Sequence, residues 1–196
     1  MKKQVITILG LFTLIHVSAQ DISLPEPQKT GGMPLMEALS NRSTTREFSS
    51  AEIDNQTLSN LLWAAWGYNR PDKRTAPSAM NRQELELYVV KKSGAYLYDA
   101  RANKLIQVNK EDVRKDMGKQ DFVGEAPINI VFVAKNKEDY APVNAGFISQ
   151  NIYLYCASAD LGTVVRGFFD PEAVGKALKL KDPQVAVLTQ TVGKKK

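Results

Sequence analysis

Histidine occurs once in the 196 residues, at His16, and cysteine once, at Cys156. His16 lies in a segment with the order of a secretory signal. Met1-Lys2-Lys3 gives a positive start, residues 5 to 17 are almost unbroken in apolar side chains, and Val17-Ser18-Ala19 ends in small ones. Cleavage after Ala19 is expected, which leaves a mature chain without histidine. That absence excludes Ser-His-Asp and Cys-His catalysis and histidine-containing metal sites. The carboxylates form no ligand cluster by spacing either, so no metal is expected. A lone cysteine closes no internal disulfide, and Cys156, between Tyr155 and Ala157 in a helical pattern, reads as a small core residue.

The first apolar run is short for a bilayer span and no second one follows, so no stable membrane insertion is expected. The expected location is exported, periplasmic in a Gram-negative source and secreted otherwise. Excess charge is small: 26 basic against 21 acidic residues, a net of +5, and loss of Lys2 and Lys3 with the signal lowers the basic count to 24. No basic patch interleaves with aromatics, and Lys194 to Lys196 read as a solvated tail, so nucleic-acid binding is disfavoured. What is present is 43% hydrophobic and 24% charged residues, enough for one domain with a substantial core.

After the signal, residues 20–32 with Pro25 and Pro27 suggest an extended arm, residues 33–193 the folded domain, and residues 194–196 a basic tail. A helix is predicted over 33–41, and another from about Ser49 with Ile53, Leu58, Leu61, Leu62, Ala65 and Trp66 as its apolar stripe, ended by Gly67. Residues 68–81 lack periodicity and read as a long loop. Alternation then predicts a strand meander over 85–90, 95–98 and 104–108, and the nearly continuous apolar run 128–133, rich in branched residues, a buried central strand. The mixed charges of 110–119 suggest a solvated helix face. A helix buried on more than one face is predicted over 145–161, a helix from Asp170-Pro171 to about Leu180, and a strand over 185–192. The fold class is α+β.

Three segments carry groups suited to a phosphorylated, planar ligand. Arg42-Ser43-Thr44-Thr45-Arg46 puts two guanidinium forks and three hydroxyls within five positions, which suits a phosphate monoester. Surface ion pairs and local caps would explain the same residues. Pro77-Ser78-Ala79-Met80-Asn81 offers small residues and an amide that could edge a planar heterocycle, or simply a polar loop. Leu161-Gly162-Thr163 leads into Val165-Arg166-Gly167, alternatively a helix stop and a short strand.

Together, in this order, these segments resemble the FMN-dependent nitroreductase-like family, including its thiazole/oxazoline dehydrogenase-like branch. Arg42 to Phe48 looks like that family's opening Arg-Arg-Ser-x-Arg-x-Phe element, Pro77 to Asn81 like its Pro-Ser-x-x-Asn, and Leu161-Gly162-Thr163 like its Leu-Gly-Thr turn. The resemblance implies a central mixed or antiparallel sheet surrounded by helices, an intertwined homodimer, and FMN as cofactor. It places the phosphate on Arg42, Ser43, Thr44 and Arg46, and the ring along Pro77, Ser78, Ala79 and Asn81. Val165, Arg166 and Gly167 would give backbone contacts near flavin N5. Asn81, and less so Asn144, would stabilise the reduced ring.

No protein side chain then needs to be a nucleophile, since the flavin carries hydride between a donor and a small organic acceptor in a ping-pong cycle. A non-catalytic flavin- or ligand-binding module is the alternative. The chain departs from the pattern at Ser43, at Glu84-Leu85 where Pro-Trp is common, and at Phe168 where Gly is common.

Overall fold

The computed structural model describes residues 20–137 and 140–196. The expected signal, residues 1–19 with His16, lies outside them. Export rested on that segment alone and nothing in the described residues supports it, so the exported, periplasmic or secreted placement is withdrawn. Among the described residues no helix is long and apolar enough to cross a membrane.

The architecture grows from β7 (Ile128–Ala134), whose seven residues are all buried. Side chains alternate across a strand, so a run buried at every position, and apolar at all but Asn129, must be covered on both faces. Ile128, Ile130 and Phe132 enter one core with α2 (Asn55–Trp66) and α4 (Ala141–Ser158). Val131 and Val133 enter the other with Val123 of α3 (Phe122–Glu125) and Val174 and Ala177 of α5 (Pro171–Ala177). β4 (Leu85–Lys91) and β9 (Val185–Lys194) flank β7, with Tyr88 opposite Val131 and Val131 opposite Thr189. β5 (Gly94–Asp99), β6 (Lys104–Asn109) and β1 (Ile22–Ser23) extend one side, and β8 (Leu161–Arg166) closes the other. The order is β1-β6-β5-β4-β7-β9-β8, with every pairing antiparallel. β8 is therefore an edge strand.

α4 follows a burial stripe of Ala141, Ala145, Ile148, Ile152 and Cys156, and fully burying each isoleucine contributes about 1.5–3 kcal/mol. Burial pushes the Cys156 thiol well above its ordinary range, consistent with a core role. α5 starts where Asp170-Pro171 predicts, the Asp170 carboxylate accepting from the N–H groups of Glu172 and Ala173. α2 starts later than predicted. Asp54, not Ser49, is its cap, accepting from Thr57 N–H, and Ile53 and Leu58 join the core on either side of that cap. α1 (Leu35–Asn41) packs on α4 and buries only Ala38.

Three segments differ from expectation. Residues 68–81 contain a hairpin of β2 (Tyr68–Arg70) and β3 (Lys73–Arg74), in which the Tyr68 ring lies between the guanidinium groups of Arg74, at 3.9 Å, and Arg101, at 3.7 Å. Within 110–119 there is one 3-10 turn, Arg114–Met117, and no solvated helix, because Val113 and Met117 are drawn into the core. Leu161-Gly162-Thr163 is the start of β8, the preceding turn being made by Asp160 in the left-handed region at φ 51°.

Candidate functional site

The free edge of β8 is where the first and third motif segments meet. Thr45 N–H donates to Thr163 O at 3.1 Å, which lays residues 44–46 along the strand. The approach requires glycine at 162, since a Cβ there would stand 2.2 Å from Thr45 Cγ2. One step on, Val165 N–H donates to the Tyr153 hydroxyl at 3.1 Å, and the same oxygen is 3.1 Å from Thr44 Oγ1. The Arg42 guanidinium lies 5.4 Å from the Tyr153 ring centroid. Tyr153 thus joins the C-terminal end of α1, the 44–46 segment and β8 in one cluster.

Two features of this cluster are left open. Arg42 is half-buried and has no carboxylate partner among the described residues, nor has the exposed Arg46. Ser43 and Thr44 are exposed beside them. At the other end Gly167 is exposed, its N–H has no partner among the described residues, and a Cβ on it would meet nothing within 4 Å. The edge therefore presents hydroxyls and an unpaired cation at one end and a free backbone donor at the other.

Arg166 points the opposite way. It is 5% exposed, and its guanidinium donates to Met117 O, Asn129 Oδ1 and Thr191 Oγ1, each at 2.9 Å. Among the described residues no carboxylate neutralises it, and burial pushes it down to about 10. Only its backbone can face a ligand. Its side chain anchors the 3-10 turn to the sheet.

The second motif segment lies elsewhere. Met80, Asn81 and Gln83 all occupy the left-handed region, with φ of 51°, 56° and 49°, a local strain of the kind that collects at functional sites. The segment is braced internally. Gln83 N–H donates to Ser78 Oγ, and Gln83 Nε2 to Asn81 Oδ1. Ala79 N–H donates to Asn144 Oδ1 at 3.2 Å, while Asn144 Nδ2 donates to the buried Glu84 carboxylate. Asn144 is 1% exposed with both ends of its amide engaged, so it shapes this loop rather than meeting a ligand at the surface. Pro77 and Asn81 remain exposed.

Asn144 and Tyr153 both belong to α4, nine positions apart. At 3.6 residues per turn that is about 2.5 turns, which puts them on opposite faces roughly 13 Å apart along the axis. One chain therefore assembles Arg42, Thr44, Val165 and Gly167, and holds Pro77 to Asn81 on the far side of the helix. Tyr153 and Glu84 are the residues that motif spacing does not reveal. Periodicity marks Tyr153 only as buried, and Glu84 shows only as the place where Pro is replaced.

The model of the nitroreductase family matches residues 39–194. The chain belongs to the nitroreductase family. A protein of Methanocaldococcus jannaschii described as a nitroreductase is 29% identical over 89% of this chain and 96% of its own. A crystal structure from Ralstonia eutropha JMP134, also described as a nitroreductase, is 39% identical, covers 96% of this chain and 97% of its own, and superposes with a TM-score of 0.85. An FMN-dependent nitroreductase from Clostridium difficile R20291 shares the fold, with a TM-score of 0.62 at 19% identity over 82% of this chain and 87% of its own. As a member of the nitroreductase family the protein is an oxidoreductase.

Proposed function

We propose that this nitroreductase binds FMN, works as a homodimer, and passes hydride from a donor to a small organic acceptor in a ping-pong cycle. The observation that carries the reading is the open β8 edge, where an unpartnered Gly167 N–H under free space shares a surface with Arg42, a half-buried cation without a carboxylate. That donor set fits a phosphorylated ring system. Arg42 and Arg46, with the hydroxyls of Ser43 and Thr44, would hold the phosphate through charge-assisted bonds. The backbone of Val165 to Gly167 would border the ring, and Tyr153 holds both ends of the edge at a fixed spacing. When bound, FMN supplies reversible hydride transfer at its N5.

Pro77, Ser78, Ala79 and Asn81 would complete the ring site from a second copy, since within one chain they face away from Tyr153. Leu35, Met36 and Leu39 of α1 and Val143 and Phe147 of α4 are exposed apolar residues, the kind of surface a partner covers. Gly146 lies among them. An interior helix glycine costs about 0.5–1 kcal/mol relative to alanine, and a Cβ at Gly146 would meet nothing within 4 Å. Nothing among the described residues needs that glycine, whereas close approach of a second copy would. The likeness to the thiazole/oxazoline dehydrogenase branch rests on motifs alone, and the acceptor is proposed at family level.

The half-reactions test this reading. FMN-loaded protein mixed anaerobically with NADH or NADPH is expected to lose its flavin band, and a nitroaromatic or quinone added afterwards to restore it. If FMN is taken up but reduced protein is not reoxidised by either acceptor, the chain is a flavin-binding module and the oxidoreductase cycle fails.

A further inference from the structure

Next to Gly167 the chain exposes an aromatic ring that its own packing does not use. Phe168 is 61% exposed, and the Lys119 ammonium lies 5.5 Å from its ring centroid. Single exposed apolar residues are ordinary. This one adjoins an unpartnered backbone donor and carries a cation brought from a distant segment.

Lys119 is positioned by the backbone around it. Its N–H donates to Phe168 O at 3.4 Å. Two residues earlier, Met117 O accepts from the Arg166 guanidinium at 2.9 Å. Between them Gly118 passes so close to Arg166 that a Cβ would stand 1.9 Å from Nη1. Arg166, itself on β8, thus ties residues 117–119 to the strand whose end carries Gly167 and Phe168. The Lys119 ammonium forms no ion pair among the described residues. Asp121 and Glu125 line the adjoining cavity of about 490 Å³ together with Lys115 and Lys119, and neither carboxylate is within ion-pair distance of the Lys119 ammonium.

The geometry points to Phe168 and Lys119 as the specificity element for a planar acceptor bearing an anionic group, an aromatic carboxylate being the simplest case. The acceptor ring lies against the open side of Phe168 and its carboxylate meets the Lys119 ammonium. Stacking gives the ring preference, and the charge-assisted contact gives the preference for an acid over its neutral counterpart. This assignment rests on the oxidoreductase reading of the β8 edge and adds the chemical class of the acceptor.

The test is equilibrium binding to the FMN-loaded, oxidised protein without donor, so that no turnover occurs. Calorimetric titrations with 4-nitrobenzoate and 4-nitrobenzyl alcohol are compared for wild type, Lys119→Met and Phe168→Ala. Both substitutions are on the surface and leave the core untouched. Wild type is expected to favour the acid, Lys119→Met to lower the acid-to-alcohol affinity ratio on the order of tenfold, and Phe168→Ala to weaken both ligands. Equal affinities in wild type, or a ratio unchanged in Lys119→Met, overturns the assignment while leaving the flavin reading in place. A wild type that takes up no FMN overturns both.

Discussion

Arg42→Met is expected to weaken FMN binding by about ten- to hundredfold while changing riboflavin binding far less. A hydrogen bond to a charged group contributes about 1.5–3 kcal/mol, and each 1.4 kcal/mol is about a factor of ten. Arg42 is suited to that role because it is half-buried over the Tyr153 ring and has no carboxylate to satisfy it. Riboflavin has the same ring without the phosphate, so the difference between the two ligands isolates the phosphate contact. Methionine retains much of the arginine stem and its cover over Tyr153. If fluorescence titration shows both ligands weakened equally, Arg42 supports the site by packing, and the phosphate assignment is wrong.

Arg166→Met is expected to destabilise the protein by roughly 3 kcal/mol, because a buried acceptor left without its donor costs about 1–3 kcal/mol and two lose theirs here. Met117 O loses its bond to the sheet and Thr191 Oγ1 its donor, while Asn129 Oδ1 loses one of two and keeps the bond from the Thr191 hydroxyl. Part of the loss is offset, since the substitution also removes an unpaired buried charge. The sign of that offset follows from the lowered pKa. The folded state bears the cost of the charged form below about pH 10 and is relieved only above it. In a domain of this size about 3 kcal/mol corresponds to a midpoint lowered by roughly 6–12 °C. A thermal melt followed by circular dichroism checks it, and a shift under about 2 °C would mean that the three bonds give no net stability.

Much of the fold was legible because burial imposes simple periods. A nearly continuous apolar run rich in branched residues, such as 128–133, has little surface to spare for water, and it proves to be the strand covered on both faces. Asp170-Pro171 marked a helix start through local chemistry that tertiary packing did not override. Where local signals competed, the reading slipped. Ser49 and Ser50 look as good a cap as Asp54 until Ile53 and Leu58 are seen to need the same core. Residues 110–119 look like a solvated helix because seven charged side chains hide the two apolar residues, Val113 and Met117, that decide their path.

The candidate site was legible as composition and not as geometry. The hydroxyls and guanidinium groups of residues 42–46 were visible, and so was the glycine at 167. That Arg166 turns inward was not, because β8 alternates and the face taken by each residue depends on pairing with β9. Tyr153 is visible in the sequence only as one more residue of the helix predicted over 145–161, since periodicity gives burial and is silent on what a hydroxyl reaches. Asn144 looked available as an amide until its two partners, Ala79 and Glu84, were brought to it from 60 or more positions away. Such long-range meetings leave no trace in spacing.

The most direct measurement is the visible spectrum of the purified protein before and after adding FMN. The account predicts shifted, resolved flavin bands that stay with the protein through gel filtration. A spectrum equal to the sum of protein and free FMN, with all the flavin eluting separately, would contradict it.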